Sequence, residues 1–192
     1  MQLVLASQSP RRRSFMEQLG FSFTSAAADI DESVHANELA DDYVLRVAKA
    51  KAKEIAIQYD STTIVLGSDT CVAIDNHILG KPVDYQDYRR HMALLSGNIH
   101  QVLTAVVVVQ GEQCEQILVT TDVEFKTLSE QEIEYYWRTG EPQDKAGSYG
   151  IQGFAGQFVK AINGSYTSVV GLPLVETNEL LQKFGVKPGF ES

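Results

Sequence analysis

An α/β protein built on a mixed sheet is the fold class this 192-residue sequence predicts. Three observations carry that expectation. A short apolar run, residues 3–6, stops directly before a helix-start signal at Ser9-Pro10. Two long β-branched runs, residues 100–110 and 117–125, follow each other closely enough to pair antiparallel. Between such strands lie segments with apolar residues every three or four positions.

Each element has its own justification. Residues 3–6 read as a buried strand feeding Ser7-Gln8-Ser9-Pro10-Arg11-Arg12-Arg13. There Ser9 is the N-cap and Pro10 the first helical residue. Phe15, Met16 and Leu19 have helical spacing, and Gly20 is placed to end the helix. Residues 29–37 are polar and read as loop. A second helix runs over about residues 39–59. A strand follows at residues 62–66, with Gly67-Ser68-Asp69-Thr70 at its end. Residues 71–74 and 77–80 flank Asp75-Asn76, a two-residue hairpin turn. That register sets Thr70 opposite Lys81, with Asp69 next to Lys81. Residues 84–95 form a third helix with Tyr85, Tyr88, Met92 and Leu95 on one side, ended by Ser96-Gly97. After the two long strands, Ser129 and Glu132 make a capping box for a helix through Trp137. Residues 140–156 are glycine-rich and read as a functional loop or irregular strand. Segments 158–162 and 166–170 and a helix over residues 173–184 complete a single domain, 1–192, without repeat or linker.

Composition narrows the function classes. A net charge of −9 argues against a broad nucleic-acid surface but not against a local basic pocket. Two cysteines, Cys71 and Cys114, make neither a disulfide framework nor a metal-binding spacing. Cys71 sits in an apolar run and reads as core. No apolar run reaches membrane-spanning or signal-peptide length, so the expectation is a cytoplasmic protein without membrane association.

The candidate chemistry starts at the arginine turn. A helix start carries free N–H groups and the positive end of the dipole, where acidic side chains belong. Three arginines there either bind an anion, phosphate foremost, or form a solvated basic turn. In the second helix, helical phase puts Lys51 inside the apolar stripe of Val44, Val47, Ala48 and Ile55, and Lys49 and Lys53 on the solvent side. Lys51 therefore either meets a buried anion or snorkels out along its stem. Asp69 and Lys81 read as an ordinary cross-strand ion pair or as an acid-base or metal-ligand carboxylate beside a phosphate-neutralising lysine. Hard cations take carboxylate and phosphate oxygens with few protein ligands, and Asp69 and Glu32 could supply that pair, although an acidic loop residue such as Glu32 is commonly just solvated. In the glycine-rich segment, Gln152 offers a donor and an acceptor for a base edge, or tops a tight turn. The four histidines have no ligand spacing and receive no role.

Taken together the segments resemble the Maf-like family, the septum-formation-inhibitor-related nucleoside triphosphate pyrophosphatases. The marks are Leu5-Ala6-Ser7-Gln8-Ser9-Pro10-Arg11-Arg12, Arg46-Val47-Ala48 with Lys51-Ala52, Leu66-Gly67-Ser68-Asp69-Thr70, Gly80-Lys81-Pro82, Leu95-Ser96-Gly97, Asp144-Lys145-Ala146-Gly147, Gly150-Ile151-Gln152-Gly153 and Gly171-Leu172-Pro173. The resemblance implies a mixed, elongated twisted sheet flanked by helices, two lobes with a central cleft, related to the inosine-triphosphatase group. It implies hydrolysis of a nucleoside triphosphate to monophosphate and pyrophosphate with a divalent cation, Mg2+ or Mn2+, and a homodimer. Asp69 matches the family's proton acceptor. Arg11, Thr70 and Gln152 match positions that mark the dTTP/UTP branch; the branch acting on 7-methyl-GTP has an aromatic residue at the Arg11 position. The combined expectation assigns Asp69, Lys51 and Lys81 to catalysis, Ser7, Arg11 and Arg12 to phosphate, and Asp69 and Glu32 to the cation. The rivals are a pyrophosphatase for modified or methylated nucleotides, and a nucleotide-binding regulator of septum formation and division arrest without turnover.

Overall fold

The computed structural model describes residues 2–75 and 77–188. Its strands are β1 (Leu3–Ala6), β2 (Thr24–Ser25), β3 (Ile64–Ile74), β4 (His77–Leu79), β5 (Ile99–Gln110), β6 (Gln113–Phe125) and β7 (Val159–Asn163). Its helices are α1 (Pro10–Gln18), α2 (Ala40–Ala56), α3 (Tyr85–Leu95), α4 (Glu130–Arg138), α5 (Tyr166–Val170) and α6 (Leu174–Lys183), with three short 3-10 turns between α4 and β7. The strands form one mixed sheet in the order β2-β1-β3-β5-β6-β7, and β4 pairs with β3. β1 runs parallel to β2 and β3; the other pairings are antiparallel.

The local signals are met where the backbone closes on itself. Ser9 caps α1, its side chain accepting from Arg12 N–H, and Gly20 takes φ +74° beyond the helix end. Asp84 caps α3, and Ser129 with Glu132 completes the capping box of α4. Helix α2 is shorter than its apolar pattern. After Ala56 the chain tightens through Gln58 N–H to Ile55 O and Tyr59 N–H to Ala56 O. Residues 166–170 form a one-turn helix. The two-residue strand β2 has no signal of its own.

The main difference from expectation is in β3. The strand expected to end before Gly67 continues to Ile74, because β5 pairs with it unbroken from Val65 to Ala73. Asp69 is therefore mid-strand, not at the open end of a hairpin. The hairpin register holds, with Val72 opposite Leu79 and Ile74 opposite His77. Of its turn, Asp75 lies at φ +48° and Asn76 lies outside the described residues.

The other edge of β3 is where the site arises. β1 pairs with Ile64–Gly67 there and β4 with residues 72–74. Between them, Ser68 to Cys71 have a strand partner only on the β5 side among the described residues. The sheet has a gap one strand wide. The apolar interior divides around it. Leu5, Met16, Leu66, Leu172 and Leu181 pack on the α1–α6 side, and Tyr88, Met92, Phe125, Tyr136 and Phe158 on the α3–α4 side.

Helix α2 lies directly on β3 at Gly67. A Cβ there would sit 2.4 Å from Ala48 O and 2.7 Å from Ala52 N. No side chain fits, and the contact fixes Lys51, between those two alanines, over the strand. Gly67→Ala is expected to lower unfolding free energy by about 3 kcal/mol through overpacking against backbone. Urea unfolding with an unchanged midpoint would refute that close contact as a structural requirement.

Two buried histidines hold the loop after α4. His91 Nδ1 lies 2.7 Å from Ser148 Oγ, and His100 Nε2 lies 2.8 Å from Tyr149 Oη. Burial pushes the His91 and His100 imidazoles down, His100 to about 4, so both act as neutral hydrogen-bonding anchors at neutral pH. Among the described residues no helix is long and apolar enough to cross a membrane.

Candidate active site

A cavity of about 1020 Å³ opens at the gap in the sheet. Its walls come from the turn after β1, the loop before α2, mid-β3, the exit of β4, the 3-10 segment and the α5–α6 junction. Side chains alternate along a strand, so Asp69 and Thr70 point to opposite faces of β3. Asp69 faces α2, and Thr70 faces α1 and α5. Both reach the cavity because no strand closes that edge.

The arginine turn forms one wall. Ser9 N–H donates to Ser7 Oγ at 3.1 Å, and Arg12 N–H to Ser9 Oγ at 3.4 Å. Pro10 has no N–H, so in this turn Arg11 N–H is left without a partner among the described residues. The side chain of Arg11 is likewise without a hydrogen bond or ion pair among the described residues. Ser7, Arg11 and Arg12 all line the cavity. Arg13 is exposed and is not among its lining residues, as a solvated neighbour should be.

Arg12 is held from behind. Its Nε donates to Gly171 O at 2.8 Å and its Nη2 to Thr70 Oγ1 at 3.1 Å. Thr104 Oγ1 donates to Ser168 O at 2.8 Å and lies 2.9 Å from Thr70 Oγ1. Thr104 has one proton, already given to the carbonyl, so Thr70 donates to Thr104 and accepts from Arg12. Burial lowers the Arg12 guanidinium's pKa, and the charge of Asp69 works against that; the group stays charged at neutral pH.

Lys51 is the centre of the opposite wall. Its Nζ lies 2.8 Å from Asp69 Oδ1 and 2.8 Å from Glu32 Oε1. The Lys51 and Asp69 side chains are 12% and 10% exposed, so the lysine meets a buried anion rather than snorkelling, while the Glu32 side chain closes over it from the surface at 46% exposed. The expected Asp69–Lys81 pairing is not formed. Lys81 is exposed past the end of β4, and the helix packed on Gly67 supplies the cation instead. Lys81 still lines the cavity and acts on Glu32 through its charge. Burial pushes the Glu32 carboxyl up. Its hydrogen bond to Lys51, with the charges of Lys51, Lys81 and Arg12, outweighs this and holds it below the usual value.

Glu32 is no free loop residue. Tyr43 Oη donates to its backbone carbonyl at 3.1 Å. Arg46 donates to Ser33 O at 2.8 Å and to both oxygens of Glu38. These tethers from α2 set the carboxylate beside Lys51. Tyr43, Arg46, Thr104 and Gly171 were not singled out as site residues by sequence reasoning. Tyr43 and Arg46 do sit one turn apart, which marks a shared helix face.

For a divalent cation the donor set is two carboxylates gathered around one ammonium. Among the described residues no group of three or more His, Cys, Asp or Glu could hold a metal alone. Two carboxylates facing a triphosphate suit Mg2+ or Mn2+, which fill their coordination with substrate oxygens and water. The residues therefore fit a cation shared with substrate and not a closed protein cage. Gln152 is exposed and lines the cavity, at the tip of a turn closed by Gly153 N–H to Gly150 O at 3.1 Å.

Comparison with known proteins follows the same lines. A family profile described as Maf-like protein matches residues 2–184. A dTTP/UTP pyrophosphatase of Colwellia psychrerythraea is 55% identical over 187 residues, covering 95% of this chain and 88% of that one. One from Vibrio parahaemolyticus is 53% identical over 182 residues, covering 95% and 96%. Among solved structures, a HAM1 protein from Coxiella burnetii superposes with a TM-score of 0.53 at 14% identity, over 95% of this chain and 99% of that one. That last likeness bears on the fold alone.

Proposed function

This chain belongs to the Maf-like protein family, and on that premise we propose that it hydrolyses dTTP and UTP to the nucleoside monophosphate and pyrophosphate. The observation that carries the reading is Lys51, bound at 2.8 Å to both Asp69 and Glu32 across the cavity from the arginine turn. A largely buried lysine–aspartate pair with a second carboxylate beside it, facing an anion site, is what phosphoryl chemistry needs.

The roles follow from position. Arg11 and Arg12, with the Arg11 N–H and Ser7, take phosphate oxygens at the start of α1. Lys51 and Lys81 neutralise charge that grows on the leaving pyrophosphate. Asp69 accepts the proton of the attacking water, whose oxygen bonds to the α-phosphorus as the bond to pyrophosphate breaks. A divalent cation held by Asp69 and Glu32 would polarise the phosphoryl oxygens and orient that water. Thr70 and Gln152, with Arg11, meet the nucleoside. Thr70 has given its proton to Thr104, so it can only accept from a ligand, and an ionised phosphate offers it nothing.

The same reading extends to a reducing cytoplasm, which suits two free cysteines. A homodimer is supported by family membership alone. The test is product analysis over dTTP, UTP, 5-methyl-UTP and 7-methyl-GTP with Mg2+ and Mn2+. Pyrophosphate is the expected product, with dTTP and UTP preferred. Orthophosphate release would sink the reaction. Tight binding without turnover would favour a regulator.

A further inference from the structure

The wall that carries Gln152 is built differently from the other two. Its lysine is already used: Lys145 Nζ lies 2.7 Å from Asp144 Oδ1 and 2.9 Å from Glu141 O. What faces the cavity here is a short backbone turn, Gly150 to Gly153, beside the Glu141 carboxylate. Such a wall repels phosphate and suits an uncharged base.

That turn is gripped at both ends by one pair of side chains. Glu141 Oε2 accepts Phe154 N–H at 3.0 Å, just past the turn. Glu141 Oε1 accepts from Tyr136 Oη at 2.8 Å, and Tyr136 Oη accepts Gly150 N–H at 3.0 Å, at the turn's start. Tyr136 is fully buried on α4 and its ring is stacked on Phe154, so the grip is anchored in the core. Glycine at 153 makes the reach possible, since a Cβ there would sit 2.2 Å from Glu141 Oε2.

We infer that Glu141 is a specificity-determining positioning residue, which through Tyr136 and the Phe154 N–H sets the turn that presents Gln152 to the base. The inference rests on the triphosphate-splitting reading above. It separates the nucleoside wall from the phosphate walls, and that separation can be measured.

The experiment compares Glu141→Ala, Tyr136→Phe and Glu141→Gln with wild type. It uses kcat and KM for dTTP, and the inhibition constant of inorganic tripolyphosphate, which has no base. In Glu141→Ala the KM for dTTP rises about tenfold, the scale of one lost buried hydrogen-bond anchor, while tripolyphosphate inhibits as in wild type. Tyr136→Phe removes one hydroxyl, leaves the packed ring and gives the same split, so the test stands even if Glu141→Ala folds poorly. Glu141→Gln recovers part of the loss, since its one amide oxygen can accept Phe154 N–H but its NH2 cannot accept the Tyr136 hydroxyl proton. Parallel weakening of dTTP and tripolyphosphate would overturn the inference, because Glu141 would then support the whole cavity. An unchanged KM would overturn it too. Wild-type protein that neither splits dTTP nor binds tripolyphosphate would instead bring down the underlying reading.

Discussion

Asp69→Asn is expected to lower kcat for dTTP by about a thousandfold, within the range that a positioned general base supplies. The asparagine keeps the shape of the side chain and a hydrogen bond to Lys51, which also retains Glu32 at 2.8 Å. The arginine turn and the Gln152 wall do not touch Asp69. Affinity for a non-hydrolysable dTTP analogue, measured by calorimetry, therefore stays within a few-fold of wild type. Loss of kcat with retained binding is the signature of an interaction made in the transition state. Full activity in the variant removes Asp69 from the chemistry. A loss confined to KM moves it to substrate binding.

Lys51→Met is the second large effect. Methionine fills the lysine stem's volume in α2 but leaves Asp69 and Glu32 facing each other without their cation. Turnover falls about a hundredfold, as when one preorganised charge is removed from a phosphoryl site. A second readout moves the opposite way. The ammonium and a divalent cation would use the same two carboxylates, so removing the ammonium makes them a better cation site. Mn2+ binding to nucleotide-free protein, followed by electron paramagnetic resonance, tightens in the variant while activity drops. Weaker Mn2+ binding would mean that Lys51 assembles the pair and does not compete for it.

How much of this could be read from the chain depends on the range of each interaction. Ser9 and Ser129 with Glu132 are legible as caps because donor and acceptor lie within four residues. The burial of Lys51 is legible because helical phase is local. Its partner is not. Strand arithmetic offered Lys81 to Asp69, since hairpin register is a local property. The real partner arrives by the packing of α2 on Gly67, which no periodicity encodes. The same holds for Arg12 reaching Gly171, and for Thr104 fixing the Thr70 proton. Glu32 looked solvated because its tethers, Tyr43 and Arg46, lie in the next helix. His91 and His100 have no ligand spacing that sequence could mark, and they work instead as neutral anchors.

Asp69 and Thr70 are successive residues on one strand, open to the cavity only because β1 stops at one end of the gap and β4 stops at the other. A loop-borne site tolerates insertion by bulging outward. Here one extra residue after Gly67 would exchange the two faces, turning the carboxylate toward Thr104 and the hydroxyl toward Lys51. The strand acts as a ruler whose smallest division separates the residue proposed to react from the residue proposed to recognise. Deletions and insertions in this protein should therefore be sought in its turns, and the stretch from Gly67 to Val72 should be altered only by exchange of side chains.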